Sequence, residues 1–370
     1  MQKKDKILII GQIPPPYLGQ AIMTKYLLES LQESKINFCF INQTSSVKTS
    51  SFSKFSFMKL LIVIRTSFQI LYYRVFKNCN IIYYNPSGHR KIAILRDISV
   101  LWWSRQLFDK TIFHFHAYGI HLVYEQLSDL GKFFFRLAFK SPYLMVKLTQ
   151  DINPDELLIE PRKISILPNA IPIPEFKPRV KKNINNNIKL VYVGAIYEER
   201  GIFDIIDLLD YSAKKNRLTI TIDFVGDFMS LRFKKSVLYT IKERELEQFV
   251  NFHGIKIDND KYRIIESANF LIFPSRVPSE TFGLVLIEAM SQKTPPIVTN
   301  LNGPKFVIKN NINGIKYNPG DIEGLYSLIY NLYKKPSLYQ ELRNNSYKYF
   351  MNNYNIKIFK KNISYIFNNM

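Results

Sequence analysis

The 370-residue sequence has few of the features that mark secreted, metal-binding or membrane-spanning proteins. Cysteine occurs only at Cys39 and Cys79, with no CxxC pair and no Cys/His cluster, which argues against a disulfide framework and a structural zinc site. The apolar run before Gly11 is too short for a signal peptide. Bases interrupt the most apolar span, residues 58–76, so we do not expect it to cross a membrane. The sequence therefore predicts a cytoplasmic protein.

Carboxylates are missing from one long window, Ser34 to Arg96, in a chain whose net charge is +21. The bases of this window are Lys35, Lys48, Lys54, Lys59, Arg65, Arg74, Lys77, Arg90, Lys91 and Arg96, interleaved with aromatic and aliphatic residues. A helix with a solvated basic face accounts for part of this pattern. Anionic lipid headgroups or a lipid-linked phosphate acceptor would suit the rest.

The window predicts peripheral, salt-sensitive attachment to an anionic membrane through residues 34–96. Phe52, Phe55 and Phe57 are the candidate shallow anchors. The positive charge would also attract nucleic acid, but the sequence has no RNP, KH or helix-turn-helix pattern. We therefore expect no nucleic-acid partner.

Two runs of alternating strand and helix patterns predict an α/β protein with two doubly wound domains and a ligand at the carboxyl ends of the strands. The expected boundaries are 1–175 for the first domain, 176–188 for a linker rich in Pro, Lys and Asn, 189–340 for the second domain, and 341–370 for a C-terminal helix. One helix is expected over Ile98–Phe108, and a long last helix over Tyr339–Phe367.

The most informative stretch runs from Phe273 to Ala289. A buried strand over residues 269–273 ends at Pro274, and a helix follows over residues 285–290, with Ser279 and Thr281 as candidate caps. Glu280 and Glu288 lie eight residues apart at the junction and within that helix. A strand, a turn and a helix N-terminus form an anion site. On the carboxylates alone, a capping Glu280 and a solvated Glu288 remain the simpler alternative.

The surrounding residues, Pro-Ser…Glu-x-Phe-Gly-x4-Glu-Ala-Met, resemble the Glu-x7-Glu signature of retaining glycosyltransferase family 4, of the bacterial surface-polysaccharide type. The resemblance implies the GT-B fold, in which two Rossmann-like domains face a central cleft and the C-terminal helix, residues 341–370 here, crosses back to the first domain. It places Glu280 at the donor sugar as a catalytic residue and Glu288 at the nucleotide ribose. It assigns the backbone amides of three further site residues to the diphosphate: Phe282, Gly283 and Leu284.

The same resemblance assigns further site residues. His116 follows an apolar strand, where the family has a catalytic His beside the donor sugar; a structural His is the alternative. Gly19, Gly194 and Arg200 fall on the donor-binding loops, with Arg200 in the place of a diphosphate-clamping Lys and a solvated loop base as its alternative. The chain departs from the family pattern at Gln20, Ala170, Ala195, Lys293 and Phe306.

The implied activity is the transfer of a sugar, with retention, from a nucleotide-diphosphate donor to a lipid-linked glycan in surface-polysaccharide synthesis. No cofactor and no metal are expected, and a UDP-sugar is the favoured donor. The expected location is the cytoplasmic face of the cell membrane. A catalytically inactive GT-B subunit that acts as a binding partner stays open as an alternative, as does a nucleotide-sugar epimerase on the same fold.

Overall fold

The computed structural model describes residues 5–15, 19–43, 57–151, 153–179 and 183–370, with only the backbone of residues 57–60. Phe52 and Phe55, two of the candidate membrane anchors, lie outside the described residues, and so does the side chain of Phe57. The chain divides into two compact units. Unit 1 comprises Met1–Asn169 and Lys357–Met370, and unit 2 comprises Ala170–Ile356.

Unit 1 contains a parallel sheet that has, among the described residues, six strands in the order β2-β1-β3-β4-β5-β6. Its elements in chain order are β1 (Ile7–Gly11), α1 (Gly19–Glu33), β2 (Phe38–Asn42), α2 (Phe57–Phe76), β3 (Ile81–Tyr84), α3 (Lys91–Ser104), β4 (Lys110–His114), α4 (Ile120–Glu125), α5 (Asp129–Phe139), β5 (Leu144–Lys147), α6 (Pro154–Ile159) and β6 (Ile164–Ile166). Every residue of β1 and β3 is buried, as expected for strands that helices cover on both faces.

Unit 2 contains a second parallel sheet, again with six strands in the described part, in the order β12-β11-β10-β7-β8-β9. Its elements are β7 (Asn187–Val193), α7 (Ile202–Lys215), β8 (Thr219–Val225), α8 (Leu231–Glu243), β9 (Val250–Phe252), α9 (Asp258–Ser267), β10 (Phe270–Phe273), α10 (Leu284–Ser291), β11 (Pro296–Thr299), α11 (Pro304–Val307), β12 (Ile315–Tyr317), α12 (Ile322–Lys334) and α13 (Pro336–Asn353). The predicted class, an α/β chain with two doubly wound sheets, is confirmed.

A last helix, α14 (Ile356–Asn368), packs against the sheet of unit 1. Phe359 and Ile363 on its inner face are buried, and the ring of Phe367 lies 6.0 Å from that of Tyr83 on β3. The carbonyl of Met370 accepts hydrogen bonds from Lys110 Nζ at 2.9 Å and from the Tyr143 hydroxyl at 3.0 Å. Helix α14 therefore completes the core of unit 1.

The predicted single helix over Tyr339–Phe367 is wrong, because the chain forms two helices there, α13 and α14. Tyr354 and Ile356 instead form backbone hydrogen bonds with Ile171, each 3.0 Å long. These bonds take the carbonyl of Tyr354 and the amide of Ile356 out of the helical pattern. The break at residues 354–355 is therefore a long-range effect that helical periodicity does not reveal.

The helix expected over Ile98–Phe108 begins earlier, at Lys91, and ends at Ser104. Within this helix the carboxylate of Asp97 is fully buried and accepts hydrogen bonds from the Tyr84 hydroxyl and the Ser87 amide, both at 2.7 Å. A charged side chain thus faces the core, paired with Arg96.

Over the described residues, we find no helix long and apolar enough to cross a membrane.

Candidate functional site

The candidate site of unit 2 lies at the carboxyl edge of its sheet, where β7 and β10 are neighbours. From β7 the chain continues to β8 and β9 on one side, and from β10 it continues to β11 and β12 on the other. The loops that leave β7 and β10 therefore diverge at a topological switch point. Open α/β sheets bind their ligands in the crevice at this point.

Arg200 and Glu280 come from these two loops and meet at the switch point. Arg200 ends a short 3₁₀ turn after β7, and its Nη1 donates a hydrogen bond to Oε2 of Glu280. Gly201 makes this approach possible, because its φ is +69° and a Cβ there would lie 2.1 Å from the carbonyl oxygen of Pro274. Only glycine tolerates both conditions. The structure thus brings together two residues that the sequence predicted for the site.

The guanidinium of Arg200 sits in a partly buried aromatic setting. Its Cζ lies 5.3 Å from the ring centre of Tyr197 and 5.5 Å from that of Phe273. Burial alone would lower the pKa of Arg200, but the charge of Glu280 and the phenols of Tyr192 and Tyr197 outweigh it and raise that pKa. Nε of Arg200 is buried and has no hydrogen-bond partner in the part of the chain that the structure describes. A cation with a spare buried donor is suited to an anionic ligand.

The loop that carries Glu280 is fastened by residues at the end of β11 and just after it. Thr299 Oγ1 donates to the Ser275 carbonyl at 2.6 Å, and the Gly303 amide donates to the Glu280 carbonyl at 3.0 Å. Gly303 approaches so closely that a Cβ there would lie 2.0 Å from the Thr281 carbonyl oxygen. These contacts fix the backbone on both sides of the Glu280 side chain, so the carboxylate projects from a rigid loop.

Arg276 and Asp204 form a second brace that the sequence analysis missed. Nη2 of Arg276 donates to Oδ1 of Asp204, a buried carboxylate that also accepts from the Tyr317 hydroxyl at 3.1 Å. The Arg276 amide donates to the Glu199 carbonyl at 2.8 Å. Arg276 thus ties the Glu280 loop to the segment that carries Arg200. Its sequence signal was its place in the Phe273–Ala289 stretch, just before Glu280.

Glu288 lies in α10, where its Oε1 accepts a hydrogen bond from Lys261 Nζ at 2.8 Å. Both side chains are mostly buried.

The predicted caps Ser279 and Thr281 are wrong, because the residue before α10 is Gly283, with φ at +82° and no side-chain hydrogen bond to the helix. A left-handed residue turns the chain into the helix without a side-chain cap. Phe282 is buried, with its ring edge-on to Tyr354 at 5.5 Å, so Phe282, Gly283 and Leu284 present backbone at the helix start.

Three of the departures from the family pattern, Ala195, Lys293 and Phe306, lie in unit 2. Gly194 and Ala195 follow β7, and the Ala195 carbonyl accepts a hydrogen bond from the Tyr192 hydroxyl at 2.7 Å. Ala195 supplies no cation for a diphosphate, so this loop keeps Arg200 as its predicted diphosphate-binding base. Lys293 has a φ of +54°, the left-handed region that favours the glycine of the family pattern. Phe306 lies half-exposed on α11.

The candidate residues of unit 1 include a pair of neighbouring histidines. His114 is the last residue of β4, and the rings of His114 and His116 lie 4.1 Å apart. Burial lowers the pKa of His114 well below its usual value, and burial lowers the pKa of His116 to about 3. The Tyr83 hydroxyl is hydrogen-bonded to Nδ1 of His114. Both imidazoles are therefore neutral at pH 7, so neither acts there as a cation.

Asp155 braces the loop that follows His116. Its buried carboxylate accepts hydrogen bonds from the Gly119 amide at 2.7 Å and the His121 amide at 3.0 Å.

Gly19 is the first residue of α1, and residues 16–18 just before it lie outside the described residues. Across the described ranges there is no group of three or more His, Cys, Asp and Glu residues that could hold a metal ion.

Comparison with known proteins gives a family match for the second half of the chain. Residues 175–349 match the family model for glycosyl transferases group 1. A UDP-Gal:alpha-D-GlcNAc-diphosphoundecaprenol alpha-1,3-galactosyltransferase of Escherichia coli is 24% identical over 187 residues, 47% of this chain and 46% of that protein. The capsular polysaccharide biosynthesis glycosyltransferase CapM of Staphylococcus aureus is 26% identical over 197 residues, 52% of this chain and 49% of that protein. The chain thus matches about half the length of these relatives.

Solved structures resemble the chain over nearly its whole length. Anabaena HepE, crystallised with UDP, aligns with a TM-score of 0.71 at 16% identity and covers 99% of this chain and 100% of that one. The lipopolysaccharide outer core galactosyltransferase WaaB in its apo form aligns with a TM-score of 0.69 at 17% identity, with coverage of 99% and 100%. At this identity the likeness concerns the fold alone. The chain therefore has the two-domain α/β fold of the GT-B type, and its residues 175–349 are similar to the glycosyl transferases group 1 model.

Proposed function

We propose that the chain is a retaining glycosyltransferase that moves a sugar from a nucleotide-diphosphate donor to a lipid-linked glycan in cell-surface polysaccharide synthesis. The observation that carries this proposal is the contact between Arg200 and Glu280 at the switch point of a group 1 domain. A cation suited to a diphosphate lies beside a carboxylate suited to sugar hydroxyls. Both are held by braced loops, which is the preorganisation that transfer chemistry requires.

Donor binding is proposed as an exchange of partners. Arg200 would turn its guanidinium from Glu280 to the diphosphate, and its spare Nε would supply a further donor. Glu288 would exchange Lys261 for the ribose hydroxyls. A UDP-sugar is the favoured donor, since Anabaena HepE was crystallised with UDP and the Escherichia coli relative is named for UDP-Gal. No cofactor is proposed.

The proposed chemistry is a front-face substitution. The acceptor oxygen forms a bond to the anomeric carbon on the face from which the diphosphate leaves, the bond from that carbon to the phosphate oxygen breaks, and this phosphate oxygen takes the acceptor proton. Arg200 and the amides of Phe282, Gly283 and Leu284 would stabilise the leaving charge without a metal. Glu280 would position the sugar. The catalytic role of His116 remains a prediction from the sequence.

The names of the relatives and the charge pattern support the proposed acceptor and location. One relative is named for a diphosphoundecaprenol substrate and another for capsular polysaccharide. A lipid-linked acceptor would place the enzyme at a membrane surface, which the basic window of residues 34–96 suits through its attraction for anionic lipids. The proposed site of action is the cytoplasmic face of the cell membrane.

The test begins with a thermal-stabilisation screen of nucleotide sugars, followed by measurement of nucleotide-diphosphate release with the stabilising donor. Glu280→Gln should lower kcat on the order of a hundredfold while UDP still binds. Glu198→Gln, an exposed carboxylate in the Arg200 turn, is the matched control and should leave kcat unchanged. Near-normal turnover of Glu280→Gln, or activity that a chelator abolishes and a metal restores, would contradict the proposal.

A second candidate is a GT-B subunit that binds nucleotide without transferring sugar. The missing cation at Ala195 favours it, together with the departures at Gln20, Lys293 and Phe306. Stabilisation by UDP without release of nucleotide diphosphate from any donor would select this candidate.

A further inference from the structure

Helix α2 is apolar on both sides. Toward the core of unit 1, Thr66 and Ile70 are buried. The opposite side carries a stripe of exposed residues: Leu61, Ile64, Phe68, Leu71, Tyr72, Val75 and Phe76. These positions recur every three or four residues, so they share one face of the helix. Phe68, Val75 and Phe76 are 68%, 62% and 71% exposed, which is unusual for side chains of this type on a helix.

The exposed stripe continues onto two neighbouring helices. Ile70 of α2, Ile98 of α3 and Phe135 of α5 belong to one core cluster, so the three helices cover the same face of the sheet. Their outward sides therefore face the same way. The exposed apolar residues on α3 and α5 are Ile92, Leu95, Trp102, Leu130 and Phe133. We name the outward side of α2, α3 and α5 the outer helix face.

The outer helix face carries mostly positive charge. Its bases are Arg65 on α2, Lys91 on α3, and Lys132 and Arg136 on α5. Helix α2 has no carboxylate, and the only one on α3, Asp97, is buried and paired with Arg96. Asp129 at the start of α5 is the exception. The field at this face attracts an anionic surface and opposes a second copy of the same face.

We propose that the outer helix face docks on an anionic lipid bilayer, with α2 lying in the plane of the interface and Phe68, Val75 and Phe76 inserted among the acyl chains. The inference extends the membrane contact proposed above, which rests on the basic window of residues 34–96, to the exposed apolar residues of three helices. Bases at the rim pair with lipid phosphates, and the apolar stripe remains attached when salt screens those pairs. Binding should therefore keep a component that is insensitive to salt.

The experiment measures co-sedimentation of the full chain with phosphatidylcholine vesicles and with phosphatidylcholine/phosphatidylglycerol vesicles across a salt series. The triple variant Phe68→Ser/Val75→Ser/Phe76→Ser should partition at least tenfold more weakly into the anionic vesicles at high salt. The matched control is Met229→Ser/Leu231→Ser/Ile255→Ser in unit 2, whose wild-type side chains are 72%, 79% and 72% exposed. It should partition like the wild type. Circular dichroism and melting temperature verify that both variants fold.

The two tryptophans of the chain give a direct probe, since Trp102 is exposed on the outer helix face and Trp103 is its neighbour. Their emission should shift to the blue with anionic vesicles, and brominated lipids should quench it. Equal partitioning of the triple variant and the wild type, or unchanged emission, would overturn the proposal. A concentration-dependent dimer that the triple variant abolishes would also overturn it, in favour of a second copy.

The vesicles contain neither donor nor acceptor, so the outcome is independent of sugar transfer. Vesicle binding without any transferase activity would remove the proposed function and keep this surface. Transfer to a soluble acceptor without vesicle binding would do the reverse.

Discussion

At the residue scale, the candidate donor site pairs its charges internally. Glu280 is bonded to Arg200 and Glu288 to Lys261, so neither carboxylate stands unpaired before a ligand arrives. Each ligand contact therefore replaces an existing ion pair, and the net gain in binding free energy is smaller than the new contact alone would give. Lys261 competes with the ligand for Glu288. Removing Lys261 should therefore have the opposite effect on ligand affinity to removing Glu288.

This exchange predicts opposite results for the two members of one pair. Glu288→Ala should weaken UDP binding by about 2–3 kcal/mol, because a charged hydrogen-bond acceptor for the ribose is lost. Lys261→Met should leave UDP binding as tight or make it tighter, because it frees Glu288 from its partner. Isothermal titration calorimetry measures both. Unchanged affinity in a folded Glu288→Ala variant would exclude the ribose assignment.

The buried histidines predict a pH dependence of stability. The pKa of His114 is lowered in the folded state by burial and by the neighbouring His116, so the unfolded chain binds its proton first. Stability is fully present above pH 6.5 and falls as the pH drops below it, by about 1.4 kcal/mol per pH unit for a histidine that stays neutral when folded. His116, with a pKa of about 3, acts in the same direction.

Urea unfolding at pH 7.5 and at pH 5.5 measures this slope. The variant His114→Asn/His116→Asn should show a smaller loss of stability between the two pH values than the wild type. Equal losses would mean that these imidazoles do not carry the effect.

How far the sequence determines the site is clearest at this scale. Glu280, Glu288 and Arg200 could be proposed from the sequence because local motifs carry them. Arg276 and Lys261 were missed because their partners Asp204 and Glu288 lie 72 and 27 residues away, and no local pattern records such a pairing. The contact of Arg200 with Glu280 spans 80 residues and needs the switch point of the sheet to exist.

At the element scale, buried parallel strands were the easiest to predict. The sequence predicts a strand over Thr219–Val225 and a helix over Ile322–Lys334, and β8 and α12 have these bounds. A run of β-branched residues and a capped amphipathic repeat are both local signals. Helices α13 and α14 were misjudged because a distant residue decides: the backbone bonds of Tyr354 and Ile356 with Ile171 interrupt the helical pattern. Helix α3 was predicted to start at Ile98 and begins at Lys91.

Helix α14 should stabilise unit 1 through a few buried side chains. Ile363→Ala should reduce the free energy of unfolding of unit 1 by about 2–5 kcal/mol, because it leaves a cavity under a fully buried side chain. Tyr365→Ala is the control on the same helix, since that ring is 71% exposed, and it should cost within about 0.5 kcal/mol. Hydrogen exchange should show the loss of protection in β1 and β3. Loss confined to unit 2 would contradict the assignment of α14.

At the scale of the whole molecule, the net charge of +21 admits nucleic acid as a partner in principle. We expect any oligonucleotide binding to be nonspecific and to vanish by about 0.2 M salt, because only counterion release would drive it. Gel-shift titrations with single- and double-stranded probes test this across a salt series. A shift that persists at moderate salt and depends on probe sequence would restore nucleic acid as a partner.

The division of the chain between the two units has a consequence for biosynthesis. Unit 2 is one uninterrupted segment, Ala170–Ile356, whereas unit 1 needs both the N-terminal segment and Lys357–Met370. A ribosome therefore delivers all of unit 2 before it delivers α14, the helix that closes the first unit. During that interval the surface around Tyr83 that Phe367 later contacts has no partner from α14. The first unit to be translated is thus the last to be completed, and a nascent chain stalled near residue 356 would expose that surface to chaperones.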